Sequence, residues 1–307
     1  ALLVVLWLVL IGLGIWGAYM IRRGASPGTT TTAEPSAPAA AGGVTASVPV
    51  VTTGDLRLAE FAFVASEDGP PRPQGPYKPG DKVFAKYSIT GFTTDEQGRI
   101  HLVYNVAVSD PNGLLLFPPK TPEVQQEVGT TTKTSDSFWV GLPDYAPAGT
   151  YRARIKVHDA VKNTDLELTP TFTVEAPPLL ESSSLEIRDI RLSLAEDGPP
   201  LSPAVVDAGQ TLYTLGNLAG VQFREDQADV VVAFELIAPS GEKVIDRPDF
   251  LSLRDTFPYH PPTFFVPITG HVRLPSDAPK GTYVEKYAVT DRIANATTNY
   301  ELKFEVQ

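Results

Sequence analysis

LAEFAFVASEDGPP, residues Leu58–Pro71, returns 129 positions later as IRDIRLSLAEDGPP, Ile187–Pro200. The rest of the chain falls into step around this pair. PGDKV (Pro79–Val83) is answered by AGQTL (Ala208–Leu212), and DPNG (Asp110–Gly113) by APSG (Ala238–Gly241). APAGTY (Ala146–Tyr151) is answered by APKGTY (Ala278–Tyr283), VHDAVKN (Val157–Asn163) by VTDRIAN (Val289–Asn295), and FTV (Phe172–Val174) by FEV (Phe304–Val306). Six landmarks in one order, at offsets between 128 and 132, define a duplicated domain. A period this long means two tandem domains, because a solenoid stacks many short units.

Each copy reads as antiparallel β. KVFAKYSITGF, IHLVYNVAVSD and GTYRARIKVHD alternate apolar with polar residues, the period that buries one face of a sheet. Asp-Pro-Asn-Gly and Pro-Ser-Gly separate such runs, since Pro presets one backbone angle and Gly accepts the positive φ that other residues resist. The 29 prolines, spread along the chain, would interrupt most helices. Seven or so short strands per copy predict two-sheet sandwiches of immunoglobulin-like type over 55–176 and 185–307, with a Pro/Ser joint at 177–184.

Ahead of the repeat, residues 1–21 open with ALLVVLWLVLIGLGIWGAYM, about the length of apolar helix that crosses a bilayer. The reading is a transmembrane α-helix stopped by Arg22 and Arg23. Trp16 sits at the interfacial end, and the small residues Gly14 and Ala18 would let a second helix approach. Residues 22–54 follow as a Thr/Ala/Pro-rich linker (GASPGTTTTAEPSAPAAAGG). The two arginines favour a cytoplasmic C-terminal part, whereas a spacer of this kind favours an external one. The extracytoplasmic or periplasmic placement is the expectation adopted.

PAGTY (Pro147–Tyr151) and PKGTY (Pro279–Tyr283), each leading into a strand that ends Val-x-Asp, resemble the last hairpin of bacterial immunoglobulin-like and fibronectin-like surface domains. The resemblance implies β-sandwiches in both copies and says nothing of a ligand. Unlike antibody-type domains the chain has no cysteine, so packing alone must hold the sheets together. The anchored tandem pair is also similar to an accessory subunit of a photosynthetic reaction-centre–antenna complex, which implies integral-membrane partners and the lipid bilayer.

Composition narrows function. The net charge is −11, and residues 55–307 carry 23 basic against 35 acidic groups, a surface that repels nucleic-acid phosphates. Without cysteine, thiolate catalysis and thiolate metal sites are excluded. His101, His158, His260 and His271 lie in separate segments at no metal-ligand spacing. Glu67-Asp68 and Glu196-Asp197 run straight into Gly-Pro-Pro in both copies, as a turn does, and a glycosidase needs carboxyls facing across a cleft. No enzyme and no cofactor are expected.

Two features remain open. Asp159, Asn163 and Asp165 supply three oxygens of the kind calcium takes, or else an Asp/Asn-capped turn. Phe257, Tyr259, Phe264 and Phe265, in a stretch from Phe250 to Pro267 that holds four prolines, form either an exposed docking surface or an edge strand with its core plugs. The leading expectation is a non-catalytic subunit bracing a membrane complex. The alternative is a tethered surface module that binds a polysaccharide or peptide, for which aromatic platforms at one place in both copies would speak.

Overall fold

The structure is a computed structural model that describes residues 50–52, 54–73, 75–117, 123–128 and 132–307. The apolar segment, with Gly14, Trp16 and Ala18, and most of the linker lie outside the described residues. Among those described, no helix is long and apolar enough to cross a membrane, and all regular structure is strand. The chain divides into two compact units, one ending at Pro178 and the other beginning at Leu179.

Among its described residues the first unit has nine strands: β1 (Val50–Thr52), β2 (Arg57–Val64), β3 (Lys82–Thr90), β4 (Arg99–Ser109), β5 (Glu123–Val128), β6 (Lys133–Gly141), β7 (Gly149–Asp159), β8 (Thr164–Leu168) and β9 (Thr171–Val174). One sheet runs β2-β3-β6, and the other runs β1-β8-β7-β4-β5 with β9 also on β7. Val50–Thr52, placed in the linker by composition, pair antiparallel with β8, so the sheet begins earlier than the repeat does. β-branched residues suit such an edge.

The second unit repeats the plan with β10 (Glu186–Ser193), β11 (Val205–Val206), β12 (Thr211–Ala219), β13 (Gln227–Ile237), β14 (Lys243–Thr256), β15 (Phe265–Arg273), β16 (Gly281–Asp291) and β17 (Ala296–Val306). Its sheets run β10-β12-β15 and β11-β17-β16-β13-β14. Where β17 is continuous, the first unit has β8 and β9. Pro170 interrupts them, having no N–H for the ladder, while its carbonyl still accepts from Ala153 N at 2.9 Å. Part of the joint belongs to the second unit: Ser182 N donates to Pro262 O, and Ser182 Oγ to Glu186.

Strand alternation sets the core. On β4 every second residue from Ile100 to Val108 is buried, with Ala107 of the other side buried as well, and on β13 every second residue from Ala228 to Leu236 is buried. The sheets of the first unit meet through rings. Phe63 of β2 lies 5.9 Å from Phe172 of β9, and Tyr87 of β3 lies 6.4 Å from Tyr104 of β4. The two PxGTY tyrosines do matching work: Tyr151 stacks on Phe172 at 5.3 Å and Tyr283 on Phe304 at 5.4 Å. The Tyr151 hydroxyl turns back to the Pro147 carbonyl at 3.0 Å, so the ring is buried with its one polar atom satisfied.

Gly91 and Gly220 end β3 and β12 in equivalent places with φ of 77° and 69°. A Cβ at either would fall 1.8 Å from Asp55 O or 2.0 Å from Ser184 O, so glycine is required for both conformation and space.

Candidate functional site

The repeated aspartates are structural clamps. Asp159 is fully buried; its Oδ1 accepts from Val161 N (3.0 Å) and Lys162 N (3.2 Å), and its Oδ2 from Thr93 N (2.8 Å). Asp291 does the same with Ile293 N (2.8 Å), Ala294 N (3.0 Å) and Gln222 N (2.8 Å). Each carboxylate thus caps its own hairpin and pins the loop that follows β3 or β12. Asn163 and Asn295 close the turns at φ of 54° and 52°, a left-handed conformation that Asn tolerates. Asp165 faces away to His158 Nδ1 at 2.9 Å. Asp159, Asn163 and Asp165 therefore do not converge, and the lone pairs calcium would need on Asp159 are turned to N–H groups. Among the described residues no group of three or more His, Cys, Asp or Glu is placed to hold a metal ion.

The aromatic excursion before β15 packs inward. Phe257, Tyr259 and Phe264 are buried, and Phe265 is half-buried at the start of β15. Phe257 and Phe264 meet edge-to-face at 5.1 Å, and Phe223, from the loop after β12, meets Phe264 at 5.1 Å and Phe257 at 6.1 Å. The backbone of Phe257 is tied down by its N–H to Asp226 O at 2.7 Å. For Phe257, Tyr259 and Phe264 the docking surface is corrected to a buried plug, while Phe265 stays half-buried: edge-to-face rings are worth more to each other inside than singly in water.

Some of the half-buried aromatics lie on the outer faces of the three-stranded sheets. On β3 the residues Val83, Ala85 and Tyr87 face the core, so Phe84 between them faces outward; on β6 Trp139 does so between Phe138 and Val140. Register places Phe84 directly opposite Trp139, with ring centres 6.3 Å apart and a 36° tilt. In the second unit the equivalent register places Tyr213 of β12 opposite His271 of β15, at 5.6 Å and 41°. Both pairs are half-buried.

A cation accompanies each pair one step along the ladder. In the first unit Lys82 Nζ lies 5.0 Å over the Trp139 ring, while Glu67 and Ser137 help line a shallow recess beside Phe84. Lys86 reaches Asp68 at 3.2 Å on the same rim. In the second unit Arg273, opposite Thr211, occupies the corresponding step and is exposed. The sequence offered one signal for these platforms, an aromatic at matched repeat positions 84 and 213. Their partners on β6 and β15 are known only once the strands are paired.

The second unit also carries an open groove of about 470 Å³ lined by Arg224, Gln227, Asp229, Arg254, Asp255 and Thr256. Arg254 Nε donates to Asp229 Oδ1 at 3.1 Å, and Arg292 approaches the same oxygen at 3.6 Å. The matching corner of the first unit is self-satisfied. There Asp95 accepts from Arg99 N (2.8 Å), Arg99 Nε (2.9 Å) and Gln97 N (2.9 Å), and pairs with His101 Nε2 (2.8 Å). The backbone N–H of Arg99 does most to hold the Asp95 carboxyl well below the usual range, with His101 and the Arg99 side chain adding to it against the contrary effect of burial.

No family of known sequence pattern matches the chain, and no curated protein matches it. Among solved structures it is similar to the C-terminal domain of the Streptococcus agalactiae AgI/II polypeptide BspA, at 9% identity over 80% of this chain and 99% of that one, with a TM-score of 0.25. The C-terminal domain of the Streptococcus pyogenes antigen I/II-family protein AspA gives 9% identity, 80% and 98% coverage and a TM-score of 0.24. Red sea bream transglutaminase gives 8% identity, 83% and 32% coverage and 0.27. Superpositions at that level lend no weight to a fold or a function, which rest on the chain's own geometry.

Proposed function

We propose that the chain is a non-catalytic binding module of a cell surface, two immunoglobulin-like β-sandwiches tethered at the membrane by the apolar N-terminal segment and the Thr/Ala/Pro-rich linker, with a neutral polysaccharide as ligand. The observation that carries this reading is the matched aromatic pair, Phe84 with Trp139 and Tyr213 with His271, half-exposed at one register position in both units and accompanied each time by a cation. Aromatic faces are electron-rich, so they attract the C–H faces of a pyranose ring, while flanking polar groups bind its hydroxyls. A chain with a net charge of −11 suits a neutral ligand better than a polyanion. A brace in a photosynthetic reaction-centre–antenna complex draws no support from the described residues, and we place surface binding ahead of it.

The test is affinity electrophoresis and calorimetry of the full chain in detergent against neutral polysaccharides. Trp139→Ala together with His271→Ala should weaken binding by roughly thirtyfold or more, the loss expected when an interface's aromatic anchors are truncated. Unchanged binding in that variant, with the fold intact by circular dichroism, refutes the platform reading. Capture of a stoichiometric integral-membrane partner with no polysaccharide affinity would return the chain to the bracing role.

A further inference from the structure

The groove of the second unit is a built polar site, and the comparison of the two copies is what singles it out. At the equivalent corner the first unit spends its polar groups on itself, with Asp95 holding Arg99, Gln97 and His101. The second unit puts Arg224 where the first has Asp95, and Gln227 where it has Arg99. Its donors are then left facing the groove.

Arg254 commits its Nε to Asp229, which leaves its terminal nitrogens, and Arg224 forms no ion pair among the described residues. Asp229 is fixed by two arginines, so its rotamer is set before any ligand arrives. Asp255 lines the same groove, its Oδ1 accepting from Thr256 N at 2.7 Å, and among the described residues its second oxygen has no backbone donor. Arginine nitrogens, a glutamine amide and carboxylate oxygens thus line one groove together. Neighbouring hydroxyls on a sugar ring ask for donors and acceptors side by side, since each gives one proton and accepts others. A single carboxylate or phosphate would be met by Asp229 and Asp255 as well as by the arginines, and a cation by the reverse.

We propose that this groove is a second binding site, confined to the second unit, that takes a sugar residue through adjacent hydroxyl groups. Its volume falls within the range of small-ligand sites and suits one or two sugar residues. The proposal deepens the polysaccharide reading and takes its ligand class from it, but it uses none of the platform residues, so the two stand or fall separately.

The experiment is hydrogen exchange by mass spectrometry on the full chain in detergent, with tetrasaccharides of glucose, xylose, mannose and galacturonate, and an acidic peptide, added singly. A neutral tetrasaccharide should protect segments 222–229 and 252–256. Arg224→Ala, at an exposed side chain whose loss leaves the fold unchanged, should weaken that binding about tenfold, as does Asp255→Asn. Trp139→Ala with His271→Ala should leave protection at the groove in place. Absence of groove protection by every neutral sugar, or unchanged affinity in both groove variants, overturns the proposal even where the platforms bind. Protection by galacturonate alone overturns it in favour of a carboxylate site, and protection by an acidic peptide alone overturns the saccharide class.

Discussion

Glu285 offers a test of the packing argument that needs no ligand. The side chain projects from β16 into the core of the second unit and is 1% exposed. Its Oε2 accepts from Thr214 Oγ1 at 2.6 Å and from Tyr287 Oη at 2.9 Å, while Oε1 has no partner. The repeat places Ala153, Ala85 and Ile155 at the equivalent positions of the first unit, so this polar trio belongs to the second alone. Burial raises the Glu285 pKa, against the two hydrogen bonds, which favour the carboxylate. Burial likewise drives the Tyr287 hydroxyl well up, and the neighbouring Glu285 adds to it.

A carboxyl whose pKa is higher folded than unfolded gives its full stability at low pH. Above about 4.3, where the unfolded chain starts to release this proton, that stability declines until pH passes the raised folded value. The slope from one group cannot exceed about 1.4 kcal/mol per pH unit, which bounds the loss between pH 4.3 and 7 at roughly 3–4 kcal/mol. Glu285→Gln keeps the shape and removes the titration. Calorimetry of the full chain in detergent should show the second unit's melting raised at pH 7, by no more than roughly 10–20 °C, and hardly moved at pH 4. The difference between variant and parent isolates Glu285 from Glu186 and Glu301, whose lowered pKa values act with the opposite sign. Trp139, which lies in the first unit, reports a melting that should not change. An equal pH slope in Glu285→Gln and parent refutes the reasoning.

Asp159→Ala and Asp291→Ala should each destabilise their own unit by about 2–4 kcal/mol, because three N–H groups lose a buried charged acceptor; urea unfolding followed unit by unit measures it. Chelator or added calcium should leave the parent's melting temperature where it is, and a rise with calcium would reinstate a metal site at Asp159. Gly91→Ala and Gly220→Ala should each cost more than about 2 kcal/mol, since positive φ and a backbone clash coincide at both, whereas Gly241→Ala, with φ of 84° and nothing within 4 Å, should cost only about 1 kcal/mol by the same measurement.

Much of the fold was legible because it is written locally and written twice. Alternation along GTYRARIKVHD fixes which side of β7 is buried whatever lies beside it, and Asp-Pro-Asn-Gly turns the chain by its own φ preferences. The Asp159 clamp was half legible: Asp and Asn at that spacing announce a capped hairpin, but the bond from Thr93 crosses 66 residues and has no local mark. The plug was misplaced because its surroundings decide it. Phe257 and Phe264 carry the same side chains buried or exposed, and Phe223, the ring that closes over them, comes from another loop.

The amino-acid order by itself determined the duplication, read by setting the chain against itself, and also the strand periodicity and the turns, which depend on residues within a few positions of one another. Which rings face each other was decided only by tertiary structure. Phe84 meets Trp139, and Tyr213 meets His271, because β3 pairs with β6 and β12 with β15 across the intervening strands of the other sheet. That register is a non-local choice, and a slip of one residue on either strand would turn its aromatic to the opposite face.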